Sequence, residues 1–593
     1  MAAQRSSNVF AIEVDGAPLG EDVADSLLEA WVEDEVNMPD TFELVFRDPL
    51  RKVLASGGFE IGKKLSIKVV SEAAAGGVAI VDAEITAVEA EIEREQTLTI
   101  VRGYDFTHRL QRGTKTETHL DSTYGDIAGR IAGRHKLSKG DGGTSTVIHE
   151  AVVQWNQTDW EFLTTLASES GHEVVVADGK LHFRQPGDSG SAPQKGDLES
   201  DGPRQLVAGG NLLKLRATVS GTEQVEEVTV RGWDYKTKEA VEATARAGNG
   251  ARSAAAGQGA ADLAEKLGGG TLVKVDLPVS SAEVAQEAAD SLVEQLGSSA
   301  TELDGVAFGN PELRAGVTVS VANVGAPFDG KYVLTSVRHT YDPTNGFLSS
   351  FRVCGRQNRT MLGLVNGSRQ GDRLTLSGVV SGIVSNIDDP EQLGRMKVTF
   401  PWLAESTESP WARVAMAGAG AKRGMVMLPE VGDEVIVAFD HGDARLPYVI
   451  GGLYNGKDEL PVEAVKGGQV VKRAIVARNN HRLEFDDDAD KVTIATGDGK
   501  HSIVLDQKGN KIVITTTGDI EVGSDANLTV KAPSGFSLET SGDFKLKATN
   551  VTIEASANLT AKGGATAKVE GGASAELKGG ATTTVSGGIV KIN

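Results

Sequence analysis

From residue 519 onward the chain repeats itself about every eight residues. Apolar or small residues spaced two apart recur at Ile520/Val522, Leu528/Val530, Phe536/Leu538, Phe544/Leu546, Val551/Ile553, Leu559/Ala561, Ala567/Val569, Ala575/Leu577 and Thr583/Val585. Their first members advance by 8, 8, 8, 7, 8, 8, 8 and 8 residues, and Gly563, Gly571, Gly579 and Gly587 keep the same period. A fixed short period marks a repeat fold, and a two-residue spacing puts both side chains on one face of a strand. Eight residues are too few for a strand plus a return around a wide solenoid. Two inward side chains also return less free energy than ordering eight residues costs. Winding three copies about one axis supplies both the missing burial and the missing partner strands. The spacing therefore predicts a homotrimeric, triple-stranded β-helix. Its axis is packed by Ile520, Val522, Leu528, Val530, Phe536, Leu538, Phe544, Leu546, Val551, Ile553, Leu559, Val569, Leu577 and Val585. A single-chain solenoid and a disordered Gly/Ala/Thr tail compete with this reading.

A second pattern rides on the first. Lys531, Glu539, Lys547, Glu554, Lys562, Glu570 and Lys578 follow the inward pairs and alternate in sign. Stacked strands would set opposite charges side by side, an inter-strand charge ladder that fixes register in an otherwise monotonous sequence. Ordinary solvated charge is the competing reading. The inward residues shrink from Phe536 and Phe544 to Ala567, Ala575 and Thr583, which predicts a rod that tapers toward Asn593.

Composition divides the chain at the same place. All six Trp and all seven Tyr precede residue 455, and beyond it stand only Phe485, Phe536 and Phe544. The net charge of −22 argues against nucleic-acid binding and against docking on anionic membranes. The single cysteine, Cys354, excludes an intrachain disulfide framework. No apolar run is long enough for a membrane-spanning helix, and the first residues carry no apolar core of a signal peptide.

The rest reads as mainly β with a minor α/β part. Phe42–Phe46, Leu65–Val69, Glu84–Ile92 and Leu98–Val101 are predicted strands. Thr123–His135 has helical spacing, with Asp121 or Ser122 as N-cap, and a helix capped by Thr158 or Asp159 ends at Gly171. An Asp178-Gly179 turn joins two strands into a hairpin. Val101-Arg102-Gly103-Tyr104-Asp105 is echoed by Val230-Arg231-Gly232-Trp233-Asp234, and Gly62–Leu110 resembles Gly316–Arg359 in layout, a weak sign of two related barrels. Short strands at Leu374–Ser385, Arg395–Phe400, Ala412–Ala415, Gly424–Leu428 and Glu434–Phe439 suit an OB-fold. The expected organisation is a first β-barrel (1–112), an α/β insertion (113–205), a second barrel (206–370), an OB-fold domain (371–461), neck strands (462–518) and the β-helix (519–593).

At this point the chain resembles the VgrG-type spikes of contractile injection systems, which fuse the hub and needle of contractile phages. The likeness rests on Thr41–Pro49, on Asp159-Trp160-Glu161-Phe162-Leu163 with Gly171, on Val230–Asp234, and on Phe328–Tyr332 with His339. It is most specific at Asp389-Pro390, Leu393-Gly394-Arg395, Phe400-Pro401-Trp402, Trp411–Val414, Leu428–Val435, His441-Gly442-Asp443 and Pro447–Gly451. The resemblance implies a tandem-barrel hub whose three copies form a pseudo-sixfold ring facing a hexameric inner-tube protein. Baseplate proteins would surround it, and a PAAR-type tip protein would sit on the last rung at Ile589, Val590, Ile592 and Asn593. No residues follow Asn593, so no fused toxin is expected, and the stretch between Leu460 and the strands near 481 is too short for a lysozyme domain.

Catalytic motifs fare poorly. Gly187-Asp188-Ser189-Gly190 matches a protease tetrapeptide without its histidine context. Gly57–Lys63 resembles a P-loop, but Lys64 stands where Ser or Thr is needed and a strand follows. Gly418, Gly420 and Gly424 have the wrong spacing for a dinucleotide loop. His149-Glu150 and His172-Glu173 lack the second histidine of a zinc motif. Asp486, Asp487, Asp488 and Asp490 lack calcium-loop spacing. The expectation is a non-enzymatic spike with no catalytic, cofactor-binding or metal residues and no cofactor. It would cap an inner tube and puncture a target envelope on sheath contraction, touching the target membrane only during injection. It would be assembled in the cytoplasm without a signal peptide and delivered outside on firing. A glycan- or cell-wall-degrading tail enzyme and a trimeric adhesin are the alternatives.

Overall fold

The computed structural model describes residues 9–592 apart from 72–73, 143–146, 178, 200–201, 249–253, 256, 356–375 and 405–406. Asp178 of the expected turn and Asn593 of the expected tip lie outside the described residues. The chain forms two compact units, Met1–Leu460 and Pro461–Asn593.

The first unit is mainly β. Its largest element is an eleven-stranded sheet in the order Leu212–Val219, Thr301–Phe308, Gly346–Val353, Ser336–Asp342, Leu27–Glu35, Thr41–Arg47, Thr97–Asp105, Ala74–Ile92, Lys64–Ser71, Val9–Val14, Ala17–Pro18. Alternation drives the central strands: Phe42, Leu44 and Phe46 are buried while their neighbours face outward. Two apolar cores lie along this sheet. One gathers Phe42, Leu44, Leu65, Ile67, Ile80 and Ile85, and the other Leu303, Val319, Tyr332, Val337 and Phe351. The echoed glycines share one physical reason. A Cβ on Gly103 would meet the Glu84 carbonyl at 2.0 Å, and one on Gly232 would meet the Val279 carbonyl at 2.1 Å. Yet the two motifs sit in different sheets, since Glu227–Asp234 belongs to a separate three-stranded sheet.

Two helices organise the α/β part. Tyr124–Arg134 is capped by Thr123, whose hydroxyl accepts from the Asp126 N–H at 3.2 Å, rather than by Asp121 or Ser122. Asp159–Ser170 opens with a reciprocal cap. The Thr158 hydroxyl accepts from the Glu161 N–H at 3.1 Å and the Glu161 carboxylate accepts from the Thr158 N–H at 2.9 Å. Gly171 closes the helix at φ 72°, the left-handed conformation glycine adopts at little cost.

The OB-like sheet runs Lys397–Thr399, Val379–Asn386, Glu434–Phe439, Pro447–Gly452, Arg413–Val414. One expected strand is corrected. Gly424–Leu428 forms no strand of this sheet; only Arg423–Gly424 pairs, with Ala419–Gly420. The missing strand is Pro447–Gly452, which begins on a proline, a position that tolerates the lost donor. The OB core closes around Val384, Met396, Val398, Phe400, Val435, Val437 and Val449, and it takes in Trp155 from the strand His149–Gln157. The Trp155 ring lies 5.1 Å from Phe400 and 5.4 Å from Phe439. The OB sheet and the α/β part are thus welded through a shared core.

The second unit contains a five-stranded antiparallel meander, Lys472–Val476, Arg482–Asp486, Lys491–Ala495, Ser502–Asp506 and Lys511–Thr515. The segment after Thr515 is extended and pairs with nothing among the described residues of the chain.

Candidate assembly surfaces

The repeat is visible in the backbone. Past Thr515 the chain bends at residues 517, 525, 533, 541, 549, 556, 564, 572, 580 and 588. The steps are eight residues with a single seven, in the repeat that also carries the seven-residue step from Phe544 to Val551. The periodic glycines serve these bends. A Cβ on Gly563, Gly571 or Gly579 would meet the carbonyl three residues ahead, at 2.4, 2.0 and 2.4 Å. Every larger apolar residue expected on the axis, from Ile520 to Val585, stands exposed in the single chain, with Phe536 at 64% and Phe544 at 66%. Lone exposed apolar residues are ordinary, but a continuous series of them marks an interaction surface. At the far end Ile589, Val590 and Ile592 are also exposed.

The ladder residues Lys531, Glu539, Lys547, Glu554, Lys562, Glu570 and Lys578 are all exposed. Glu570 meets Lys568 two residues before it, and Lys545 lies 3.4 Å from Asp543, so some charges near the ladder are already paired along the chain.

Sequence reasoning missed the meander's face. In register, Ile475 lies opposite Leu483, Leu483 opposite Ile494, Phe485 opposite Val492, Ile494 opposite Ile503, and Leu505 opposite Ile512. One face of this sheet is therefore apolar, and Phe485, Ile494, Ile503, Leu505, Ile512 and Ile514 on it are exposed. The opposite face is charged and internally paired: Lys472 reaches Glu484 at 2.9 Å and Asp486 at 3.0 Å, and Lys491 reaches Asp506 at 3.8 Å. Alternation in Arg482–Asp486 and Ser502–Asp506 carried this signal, one strand at a time.

In the OB part, the residues of Asp389 through Arg395 form a buried bolt. Arg395 donates to Asp389 through Nη2 at 2.7 Å and Nε at 3.2 Å, and through Nη1 to the Tyr235 hydroxyl at 2.9 Å. Asp389 also accepts the backbone N–H groups of Glu391, Leu393 and Arg395. The Arg395 guanidinium holds the Asp389 carboxyl well below the usual carboxylate range against the cost of burial. A second bolt sits where the OB sheet meets the α/β part. Arg445 lies 3.0 Å from Glu169 and 2.7 Å from Asp443. A cavity of about 50 Å³ adjoins it, lined by Val152, Trp155, Phe162, Leu166 and Arg445 among others. The Tyr124 ring stacks on His149 at 4.1 Å. Burial, with the Arg445 charge, pushes His149 down to about 4.

The set-aside motifs have structural settings. Asp188 accepts the Gly190 N–H in a short turn and Ser189 is buried. Asp486, Asp487 and Asp488 pair with Lys472, Arg473 and Lys466. Among the described residues no group of three or more His, Cys, Asp or Glu is arranged to hold a metal ion.

The first unit is β-rich and contains an OB-like sheet, and the second carries a repeat with outward apolar pairs. Residues 380–454 match the family model for the type VI secretion system/phage-baseplate injector OB domain. Residues 9–342, over half of the chain, match the model for the Alg8 N-terminal domain. The type VI secretion system spike protein VgrG1c of Pseudomonas aeruginosa is 38% identical over 86 residues, covering 13% of this chain and 12% of that protein. The spike protein VgrG3 of Vibrio cholerae is 41% identical over 75 residues, 12% of this chain and 7% of that protein. The aligned segments thus span about an eighth or less of those relatives. Among solved structures, the Francisella PdpA–VgrG complex in its half-lidded form superposes with a TM-score of 0.51 at 8% identity, covering 86% of this chain and 88% of that one, a likeness of fold. The chain belongs to the Alg8 N-terminal domain family and is a VgrG-type spike protein.

Proposed function

We propose that the protein is the homotrimeric hub and spike at the baseplate end of a contractile injection apparatus. Residues 1–112 and 206–370 serve as hub barrels around the α/β insertion 113–205, residues 371–461 as the OB neck, 462–518 as neck strands, and 519–593 as a triple-stranded β-helix needle. The hub caps the inner tube, whose hexameric protein it faces, among baseplate proteins, and the needle punctures the target envelope when the sheath contracts. Its work is mechanical rather than enzymatic. A PAAR-type protein covers the rung at Ile589, Val590, Ile592 and Asn593, where an open β-helix end leaves apolar surface and unpaired backbone. The particle is assembled in the cytoplasm and acts outside on firing.

One observation carries this reading. The outward apolar pairs of 519–592 keep the same period as the backbone bends, so three copies sharing an axis would bury them rung by rung. Electron microscopy of the purified full chain tests it. A broad head bearing one thin needle is expected, and a compact particle without a needle would overturn it.

A further inference from the structure

The OB sheet carries an arm that its own chain leaves uncovered. Between Arg413–Val414 and Glu434–Phe439 the chain leaves the barrel, pairs Ala419–Gly420 with Arg423–Gly424, and returns through Met425-Val426-Met427-Leu428. These four residues have the composition of a strand, and the sequence reading assigned them one. In the single chain they join no sheet and all four are exposed, Val426 at 80%. Met425 donates its N–H to the Gly418 carbonyl at 3.2 Å, and the next three residues run free of the barrel ladder.

The tip of the arm carries Lys422 and Arg423, which form no ion pair among the described residues. Elsewhere in this part Arg395, Lys397 and Arg445 are ion-paired with Asp389, Glu408, Glu169 and Asp443, and Arg413 donates to the Tyr448 hydroxyl at 3.2 Å. Outside the tip, residues 379–460 hold five Lys or Arg against twelve Asp or Glu. The tip is therefore complementary in charge to the barrel from which it springs. That barrel also offers an apolar landing place. Trp402 is 58% exposed and donates its indole N–H to the Ser381 carbonyl at 2.8 Å, and Val379, two residues from Ser381 on the same strand, is exposed too.

We infer that the arm 418–428 is an intersubunit clasp. Met425–Leu428 of one copy lie on the OB barrel of a second copy of this chain, and Lys422 and Arg423 meet its acidic surface. The occupant is a second copy because the charge on the tip matches the chain's own barrel. This rests on the trimeric reading and adds to it a contact made by the neck, independent of the β-helix.

Hydrogen exchange on the intact chain, with its mass measured in the same solution, tests the clasp. Expected are a trimeric mass and amides of Val426–Leu428 slowed about 100-fold or more relative to free peptide, with the Val426→Asp variant restoring fast exchange there. A trimeric mass with unprotected arm amides would overturn the clasp and leave the trimer standing. A monomeric mass would overturn both. Protection that survives Val426→Asp would likewise overturn the clasp, because a buried apolar contact cannot accept that carboxylate unpaired.

Discussion

The two units of the chain dispose of their apolar side chains in opposite ways. In the first, Phe42, Phe46, Phe183 and Phe351 are buried by their own chain. In the second, Phe485, Phe536 and Phe544 face outward, as do the isoleucines of the meander. The first unit has charged residues on its surface and pairs several of those it buries, as with Asp389 and Arg395. In the second, the charged face of the meander is the better covered one: the Glu484 side chain is 13% exposed while Ile512 is 68% exposed. Since burial of apolar area is the dominant favourable term in folding, the first unit's stability is a property of one chain. On the trimeric proposal, the second unit's stability comes from association.

Breaking each unit in turn should separate these two kinds of stability. The largest effect is expected from Phe544→Asp, which places three carboxylates on the proposed axis. Trimer should be lost in sedimentation while the first unit keeps its circular dichroism. Phe42→Ala should act the other way. It removes a fully buried ring and should cost the first unit about 3–5 kcal/mol, read as a loss of denaturant midpoint that does not depend on protein concentration. Arg395→Met leaves the Asp389 carboxylate buried and unpaired, a loss of about 3–5 kcal/mol. Adding Asp389→Leu should recover little of it, because the backbone N–H groups of Glu391, Leu393 and Arg395 would then lose their acceptor.

In the first unit, pH should act from two sides. Burial with the Arg445 charge holds folded His149 at about 4, below its ordinary value near 6.5. Its contribution is therefore complete above about pH 6.5 and lost as pH falls toward 4. His149→Phe keeps the stack on Tyr124 and should flatten that part of the pH profile. Asp105 behaves oppositely. Burial, with Asp34 nearby, pushes it up to about 7 against the hydrogen bonds from Thr107. Stability tied to its neutral form is complete below the unfolded value near 4 and lost as pH rises through about 7. Asp105→Asn should raise the thermal midpoint at pH 8 relative to wild type and gain less at pH 5. The smallest effect is expected from the ladder. Reversing Lys562 and Lys578 to Glu should lower the yield of correctly registered trimer, each exposed pair being worth about 0–1 kcal/mol. Unchanged assembly and melting would remove the ladder from the account.

What was legible in the sequence follows the same division. The octad was readable because Gly563, Gly571 and Gly579 are demanded by carbonyls three residues ahead, a constraint local to the chain. The helix after Thr158 was readable for the same reason, since its cap closes within four residues. The OB signature was recognisable as a string of motifs, while the reason for Asp389 and Arg395, a buried ion pair tied to Tyr235, became clear only in three dimensions. Trp155 gave no local sign that it completes the OB core, because its partners Phe400 and Phe439 lie far along the chain. Gly424–Leu428 misled because strand composition reports a need for a partner without saying which molecule supplies it. The meander's apolar face was hidden by short strands that alternate correctly one at a time.

On the proposed reading, residues 461–593 bury their apolar surface against other copies of the chain. Sedimentation equilibrium of the intact protein, followed down a dilution series, tests it most directly. A single species of three times the 62.1 kDa chain mass is expected, persisting to the lowest concentration that can be read. A folded species of one chain mass across the series would contradict it.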